Sequence, residues 1–276
     1  MNLKKVLADT AIKLSKSGIE GGARDTRILT AYALGVPISD LSLKMNEQVS
    51  EKIIAKLEKL INRRINKEPI SKILGRREFW GRSFYINENV LDPRGDTETL
   101  IDFVIEKPVK SVLELGTGSG AIAVTLACEW KDVHVTAIDI SEDALLQAKI
   151  NAEKFDVQNK IQFLKSDWFD AIDGIFDLII SNPPYIGLIE KETISDEVIK
   201  YDPEIALFAG NEGLDAYKRI IPNLAEYLKP DGFVVLEIGA SQSNQVKNMM
   251  NAVGFANTKI VKDLSGKDRL IAINID

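Results

Sequence analysis

The stretch VLELGTGSG, residues 112–120, decides how the rest of the sequence is interpreted. Its first half is an apolar run typical of a buried strand, and its second half alternates glycine with small polar residues before Ala121 begins a helical pattern. Glycine lacks the Cβ that would hold a ligand away from the backbone, and a helix N-terminus supplies N–H groups without intrahelical partners. The stretch therefore predicts a strand, a ligand-binding turn and a helix.

Strand and helix patterns alternate from about residue 110 onward. The predicted strands are Ser111–Leu115, Val133–Asp139, Ile161–Lys165, Phe176–Ser181, Phe233–Ile238 and Arg269–Ile275. The predicted helices are 120–130, 142–154, 214–228 and 241–252. Alternation of this kind predicts an α/β fold with a mostly parallel sheet, in which ligands bind beyond the carboxyl ends of the strands. We therefore expect Gly116, Asp139 and Asn182, which end three of the strands, to share one cleft.

The first 75 residues have a different pattern. Apolar residues recur at helical spacing at 3–14, 28–34 and 53–61, which predicts a small all-α domain over residues 1–75. Aromatic residues among glycines and asparagines over 76–95 are typical of a β-hairpin, which we interpret as a linker. Residues 96–276 would then form the α/β catalytic domain.

Composition narrows the possible partners. The 276 residues are 45% hydrophobic and 28% charged, with a net charge of −6, so we expect no stable nucleic-acid binding. No apolar run approaches a membrane span, and an amphipathic pattern rather than a signal peptide follows Met1, so we expect no membrane association and a cytoplasmic location. The single Cys128 excludes an internal disulfide and a cysteine-based zinc cluster, and we expect no metal.

Residues 51–82 depart from this acidic balance. They hold ten Lys and Arg against four Glu, a local net charge of +6. One interpretation is a solvated helix face. The other is a docking surface for a negatively charged partner.

The glycine turn favours one type of cofactor. Its spacing is G-x-G-x-G rather than the G-x-G-x-x-G of dinucleotide-binding proteins, which disfavours a dehydrogenase. Adenosylmethionine offers a carboxylate and a sulfonium instead of a pyrophosphate. Glu114 suits either the cationic amino-acid end of that cofactor or the task of holding the turn. Asp139 lies 19 residues past Gly120, where a carboxylate can accept hydrogen bonds from both ribose hydroxyls. The alternative for Asp139 is a helix N-cap.

Two residues after the third strand complete the predicted cofactor site. Asp167 could accept a hydrogen bond from an adenine amino group, and Trp168 could pack on the ring, although core packing is the alternative for the tryptophan. Cys128 and His134 have no chemical partners in the pattern, and we interpret both as structural.

The fourth strand ends on Asn182-Pro183-Pro184-Tyr185. The Asn182 side-chain oxygen and the Pro183 carbonyl could accept the two N–H bonds of a planar NH₂ group, and Tyr185 could offer it a flat face. Proline fixes φ and removes a donor, so the turn would present its carbonyls rigidly. Such positioning suits methylation of a planar nitrogen, which needs orientation and charge stabilisation rather than a strong base.

Together, Glu114–Gly120 and Asn182–Tyr185 resemble the class I adenosylmethionine-dependent methyltransferases that methylate amino groups. Three further stretches are similar to the peptide chain release factor glutamine methyltransferases, the PrmC/HemK family: FWG (79–81), VLDPRGDTE (90–98) and DPEIALFAG (202–210). The resemblance covers nearly the whole chain. One departure is Gly95-Asp96, where the family has Pro-Glu, and this should make the turn more flexible.

The resemblance implies a Rossmann-like, seven-stranded methyltransferase domain preceded by an all-α domain that recognises the substrate. It implies N5-methylation of the glutamine in the Gly-Gly-Gln motif of class 1 release factors, which supports translation termination and leaves S-adenosylhomocysteine. It places cofactor contacts on Gly116, Thr117, Gly118, Ser119, Gly120, Asp139, Trp168 and Asn182. It places glutamine contacts on Asn182, Pro183, Pro184 and Tyr185.

Two other functions compete with this one. An adenine-N6 methyltransferase acting on DNA or RNA could use the same Asn-Pro-Pro-Tyr turn on a flipped-out base, but the net charge of −6 disfavours it. A catalytically silent nucleoside-binding scaffold would not need the acceptors of Asn182 and Pro183.

Overall fold

A computed structural model describes residues 1–273. The chain divides into two compact units. The first comprises Met1–Gly75 together with the short segment Asp196–Tyr201, and the second comprises Arg76–Ser195 together with the chain from Asp202 onward. The first unit thus takes up six residues from far along the sequence, a feature that no local pattern predicts.

The first unit is helical. Its helices are α1 (Leu3–Lys16), α2 (Gly22–Leu34), α3 (Glu51–Ile65), α4 (Ile70–Leu74) and, from the distant segment, a helix that is α8 in chain order (Asp196–Tyr201). Asn2 and Ser50 cap α1 and α3, because their side chains accept hydrogen bonds from the backbone N–H groups of Lys5 and Ile53. Leu14, Leu29, Leu41 and Leu57 fill the core.

One buried arginine connects three of these helices. Arg64 on α3 is 7% exposed, and its Nε donates to Asp25 Oδ2 of α2 at 2.7 Å while its NH1 donates to Glu197 Oε1 of α8 at 2.8 Å. Lys72, also within the basic stretch 51–82, is buried as well. These two residues are therefore structural, and the possible docking surface is smaller than the sequence suggests.

The second unit begins with a hairpin of β1 (Arg76–Phe79) and β2 (Arg82–Tyr85). Its turn takes positive φ at Trp80 and Gly81, the pattern of a tight two-residue hairpin turn. The Asn151 side chain accepts from the Tyr85 N–H at 2.8 Å and donates to the Tyr85 carbonyl at 2.9 Å. These bonds anchor the hairpin, predicted as a linker, to a helix of the second unit.

A seven-stranded sheet forms the centre of the second unit. Its strands are β3 (Ser111–Leu115), β4 (His134–Asp139), β5 (Ile161–Lys165), β6 (Phe176–Ser181), β7 (Leu228–Glu237), β8 (Thr258–Lys262) and β9 (Asp268–Ile273). The order across the sheet is β5-β4-β3-β6-β7-β9-β8. The first five strands in that order are parallel, while β9 runs antiparallel to both of its neighbours.

Helices cover the sheet on both faces. They are α5 (Glu98–Val104), α6 (Ala121–Glu129), α7 (Glu142–Lys154), α9 (Glu204–Leu207), α10 (Asp215–Ile220), α11 (Leu224–Tyr227) and α12 (Ser243–Ala252). Successive strand residues point to opposite faces, so Val112 joins one hydrophobic cluster while Leu113 and Leu115 join the other. This is why the strands of the sheet are nearly continuous apolar runs.

The fold confirms the predicted class, a mostly parallel seven-stranded α/β domain preceded by a helical one. The strand patterns missed β8, because Thr258–Lys262 is a half-buried edge strand with lysines at two of five positions. A single helix was expected over 214–228, but a 3-10 turn containing Pro222 divides it and β7 already begins at Leu228. The last two residues of the predicted strand Arg269–Ile275 lie outside the described residues.

We expect Arg64→Ala to lower the free energy of unfolding by about 3–5 kcal/mol, because it leaves the buried Asp25 carboxylate without its cation. Arg63→Ala is the matched control, since the Arg63 side chain is 45% exposed and its ion pair with Glu68 should contribute about 0–1 kcal/mol. Urea denaturation followed by circular dichroism measures both. Equal losses in the two variants would contradict the structural role of Arg64.

Candidate active site

A cavity of about 380 Å³ lies at the carboxyl ends of the parallel strands. Gly116, Asp139 and Asn182 all line it, which confirms the prediction that these three strand ends share one cleft. Four other predicted site residues also line it: Gly118, Asp167, Trp168 and Pro184. The cavity has the size of a small-molecule site and sits where α/β sheets bind ligands.

Six predicted site residues do not line this cavity: Glu114, Thr117, Ser119, Gly120, Pro183 and Tyr185. Thr117, Ser119 and Pro183 are buried. Apolar residues that sequence analysis did not single out, among them Leu91, Ile140 and Phe208, line the cavity instead. Their apolar character gave no signal beyond that of any core residue.

The glycine turn leaves backbone open toward the cavity. Gly116, Gly118 and Gly120 take φ of 71°, 55° and 79°, in the left-handed region that favours glycine. A Cβ on Gly120 would also come within 3.0 Å of Ala148 on α7, whereas nothing lies within 4 Å of one built on Gly116 or Gly118. The turn therefore uses Gly120 for close packing against a helix and the first two glycines for its shape and for ligand access.

Glu114 holds this turn. It is 1% exposed, and its Oε2 accepts hydrogen bonds from the Thr117 hydroxyl at 2.6 Å and from the Ala123 N–H at 3.1 Å. Burial raises the pKa of the Glu114 carboxyl to about 8, and the nearby Asp139 carboxylate contributes to the rise. Of the two roles that the sequence leaves open for Glu114, this geometry supports the structural one.

Asp139 joins the turn to the cavity. Its Oδ2 accepts from the Gly118 N–H and its Oδ1 from the Ser141 N–H, both at 2.9 Å. The N-cap of α7 is Ser141, whose hydroxyl accepts from the Ala144 N–H. Burial raises the pKa of Asp139. Each carboxylate oxygen keeps a second lone pair, so ligand hydroxyls can still bind at this residue.

Asp167 and Trp168 follow β5 at the rim of the cavity. Asp167 forms an ion pair of 2.9 Å with Arg219 of α10. Trp168 takes a φ of 54°, and its carbonyl accepts a 2.7 Å hydrogen bond from the buried Ser166 hydroxyl. A non-glycine residue in this region is uncommon, and the Ser166 bond helps to hold the indole at the cavity.

The Asn182–Tyr185 turn is anchored on both sides. The Ser181 hydroxyl donates to the Leu115 carbonyl at 2.6 Å, which joins the ends of β6 and β3. The Asn182 Nδ2 donates to the Thr97 hydroxyl at 3.0 Å. The carbonyl of Tyr185 accepts from Gln242 Nε2 at 2.8 Å, and its own hydroxyl donates to Glu237 Oε1 at 3.4 Å. Sequence analysis did not identify Thr97, Gln242 or Glu237.

The PRGDTE stretch, residues 93–98, supplies several of these supports. Arg94 pairs with Asp202, Asp96 pairs with Arg269 at 3.0 Å, and Glu98 accepts from the Trp80 N–H at 2.8 Å. A Cβ at Gly95 would meet nothing within 4 Å, and its φ is not positive. The departure at Gly95-Asp96 thus leaves each charged or hydroxyl side chain of the stretch with a partner.

Other candidate chemistry lies elsewhere in the described chain. His134 is exposed at the start of β4 and Cys128 is half-buried on α6, and neither lines the cavity. Within residues 1–273, no group of three or more His, Cys, Asp or Glu is placed to hold a metal ion. Over the same residues, no helix combines the length and apolarity that crossing a bilayer requires.

Comparison with known proteins gives a family for both units. Residues 5–75 match the PrmC N-terminal domain and residues 89–205 match the methyltransferase small domain. The chain is 39% identical over 263 residues to the release factor glutamine methyltransferase of Cereibacter sphaeroides, covering 95% of each chain. The chain belongs to the release factor glutamine methyltransferase family. The resemblance seen in the sequence is therefore confirmed.

Two further likenesses define its limits. The chain is 41% identical over 296 residues to a bifunctional methyltransferase of Rickettsia prowazekii, covering 99% of this chain but 57% of that protein's length. The crystal structure of the hMettl16 catalytic domain in complex with MAT2A 3'UTR hairpin 6 superposes with a TM-score of 0.60 at 18% identity, covering 75% of this chain and 80% of that one. At that identity the second likeness shows the fold alone.

We expect Glu114→Gln to remove one source of pH-dependent stability. The pKa of Glu114 is about 8 in the folded chain against 4.5 unfolded, so the stability gained from its proton is complete below about pH 4.5 and is lost as pH rises toward 8. The free energy of unfolding of the variant, minus that of wild type, should therefore rise between pH 5 and pH 8. Urea titrations across this range measure it, and a difference independent of pH would contradict the raised pKa.

Proposed function

We propose that the protein transfers a methyl group from S-adenosylmethionine to the side-chain amide nitrogen of the glutamine in the Gly-Gly-Gln motif of class 1 peptide chain release factors. The observation that carries the proposal is the placement of Asn182. It lines the cavity beside Gly116 and Asp139, and its Nδ2 is engaged by Thr97. No donor among the described residues bonds to its Oδ1, which is therefore available to accept from a substrate NH₂ group.

The cavity suits adenosylmethionine on three counts. Gly116 and Gly118 expose backbone without Cβ obstruction. Asp139 presents a carboxylate to the cavity, where it can accept hydrogen bonds from ribose hydroxyls. Asp167 and Trp168 lie together at the rim, an acceptor beside a ring that can pack on adenine. When bound, adenosylmethionine supplies an electrophilic methyl group, which passes to the amide nitrogen as its carbon–sulfur bond breaks and S-adenosylhomocysteine is left.

The chain's own contribution is to position the amide. The Asn182 Oδ1 and the Pro183 carbonyl accept the two N–H bonds of the glutamine side chain, so the nitrogen lone pair points away from the turn. These acceptors favour the positive charge that develops on nitrogen, and they need no reorganisation because Gln242 and Ser181 already anchor the turn. The nitrogen then loses one proton to solvent, which requires no histidine or cysteine in the site.

The helical unit recognises the release factor in this proposal. Its exposed basic residues on α3, Lys52 and Lys59, have no ion-pair partner among the described residues and can meet an acidic surface. Since the proposed substrates act in translation, the proposal includes a cytoplasmic location. The net charge of −6 supports a protein substrate over stable nucleic-acid binding.

Methyl transfer with radiolabelled adenosylmethionine tests the function. Purified class 1 release factor, the same factor with its Gly-Gly-Gln glutamine replaced by alanine, duplex DNA and single-stranded RNA are offered in parallel. We expect label on the wild-type release factor and none on the alanine variant. Label on adenine of either nucleic acid, with none on release factor, would replace this function by adenine-N6 methylation.

We expect Asn182→Ala to lower kcat by about 10²–10³-fold, the loss typical of removing one preorganised group that stabilises transition-state charge. The Kd for adenosylmethionine should change little, because the cofactor contacts on Gly116, Gly118 and Asp139 remain. Asn211→Ala is the control, since Asn211 is exposed on the same connection between β6 and β7. Turnover of Asn182→Ala equal to that of the control would remove the orienting role.

We expect the double charge reversal Lys52→Glu/Lys59→Glu to raise KM for release factor, more strongly at low ionic strength because salt screens exposed charges. Lys149→Glu/Lys247→Glu changes the net charge equally, on exposed residues of the second unit. Steady-state kinetics at two salt concentrations measure both. An unchanged KM, or an equal rise in the control, would exclude α3 as the docking surface.

A further inference from the structure

The Asn182 carboxamide can present either its oxygen or its NH₂ group to the cavity, and only one orientation suits an acceptor role. Rotation by about 180° about the last side-chain bond exchanges the two groups in nearly the same space. An NH₂ group turned toward the substrate's own NH₂ group would set donor against donor. Something in the protein must therefore select the orientation that the proposed function requires.

Thr97 is the residue that contacts the other side of this carboxamide. It is 4% exposed and ends the short 3-10 helix Gly95–Thr97, next to the start of α5. Its hydroxyl accepts from Asn182 Nδ2 at 3.0 Å. Although Thr97 occupies the N-cap position of α5, its side chain makes no capping hydrogen bond. The hydroxyl is thus committed to the site rather than to the helix.

Glu237 lies behind Thr97. It is fully buried at the end of β7, and the pairing of Ser181 with Leu236 brings Glu237 beside Asn182. The Thr97 hydroxyl is a hydrogen-bonding neighbour of the Glu237 carboxylate, whose pKa it lowers. Tyr185 donates to Glu237 Oε1 as well. Glu237 does not line the cavity, so its effect on a substrate passes through these two residues.

The direction of each hydrogen bond in this chain follows from the first. An ionised carboxylate can only accept, so the single proton of the Thr97 hydroxyl must point to Glu237. The same hydroxyl can then only accept from Asn182, which requires the NH₂ group of Asn182 on the Thr97 side. Asn182 Oδ1 is left on the opposite side.

We propose that Thr97 and Glu237 are positioning residues that fix the orientation of the Asn182 carboxamide, so that its oxygen faces the substrate amide. The inference rests on the proposed function, because that function is what needs an acceptor at Asn182. Thr97 and Glu237 touch neither substrate nor cofactor in this arrangement. Their contribution is to turn off the alternative hydrogen-bond pattern.

This relay depends on the charge of Glu237. Burial raises the pKa of Glu237 to about 7, against the lowering effects of the Thr97 hydroxyl, Arg269 and Tyr185, and with a further rise from Asp96. Tyr217 also lies close enough for its own pKa to respond to Glu237. Below about pH 7 the protonated carboxyl can donate to Thr97, which can then donate to Asn182 Oδ1. The ionised form is the competent one, so kcat should rise as pH increases through about 7.

Three substitutions test the relay with release factor as substrate. We expect Thr97→Val to lower kcat at least tenfold while the Kd for adenosylmethionine stays within twofold, and Thr97→Ser to restore most of kcat because it keeps the hydroxyl. Glu237→Gln can donate to Thr97, so it should lower kcat and abolish the rise of kcat near pH 7. Thr30→Val is the matched control, because Thr30 is equally buried and its hydroxyl has no hydrogen-bond partner.

A spectroscopic measurement separates this inference from the proposed function. The side-chain NH₂ signals of Asn182, assigned by their absence in Asn182→Ala, should shift with a midpoint near pH 7 in wild type and not in Glu237→Gln or Thr97→Val. This readout needs no turnover, so it stands even if release factor proves not to be the substrate. If Thr97→Val fails to fold, Glu237→Gln carries both measurements.

A wild-type kcat and pH profile in Thr97→Val or in Glu237→Gln would overturn the proposal. So would Asn182 NH₂ signals that do not change between pH 5.5 and 8.5 in the wild-type protein. Loss of kcat in Thr97→Ser as large as in Thr97→Val would also overturn it, because the hydroxyl would then not be the active group.

Discussion

In-register pairing of four parallel strands is the constraint on which the site depends. Leu115 pairs with both Ile138 and Ser181, and Ser181 pairs with Leu236. The residues that come next in each strand or just past it therefore stand in one row across the sheet: Asp139, Gly116, Asn182 and Glu237. A slip of one residue in any pair would turn a strand's side chains to the opposite face and break this row. The apolar faces that fix the register of the core thus also fix the geometry of the site.

Two buried carboxyl groups hold this row in its working shape. Glu114 binds the glycine turn through Thr117 and Ala123, and Glu237 orders Thr97 and Tyr185 beneath the Asn182 turn. Burying a carboxyl group costs stability unless it is hydrogen-bonded or keeps its proton, and burial raises the pKa of both. The family therefore places two costly groups where they define backbone and side-chain orientation rather than where they would touch a ligand.

The connection from β6 to β7 relates the site to the rest of the chain. It begins with the Asn182–Tyr185 turn, contributes helix α8 to the helical unit through Glu197 and Arg64, and then supplies Asp202 to Arg94 and Phe208 to the cavity. Gln242 secures its start through the Tyr185 carbonyl and also donates to the Gly213 carbonyl near its end. A segment held at this many points can present proline carbonyls without a large loss of entropy on binding.

The sequence by itself determined the elements and the residues with local signatures. Alternating apolar runs identified the parallel strands, glycine at left-handed positions identified the turn after β3, and the paired prolines identified the end of β6. It could not identify Thr97, Glu237 or Gln242, which lie 85, 55 and 60 residues from Asn182 along the chain and carry no motif of their own. It also gave no sign that Arg64 is buried, since its partner Glu197 is 133 residues away. Local patterns report propensity and periodicity, whereas the direction of a side-chain hydrogen bond depends on partners that only the folded sheet brings together.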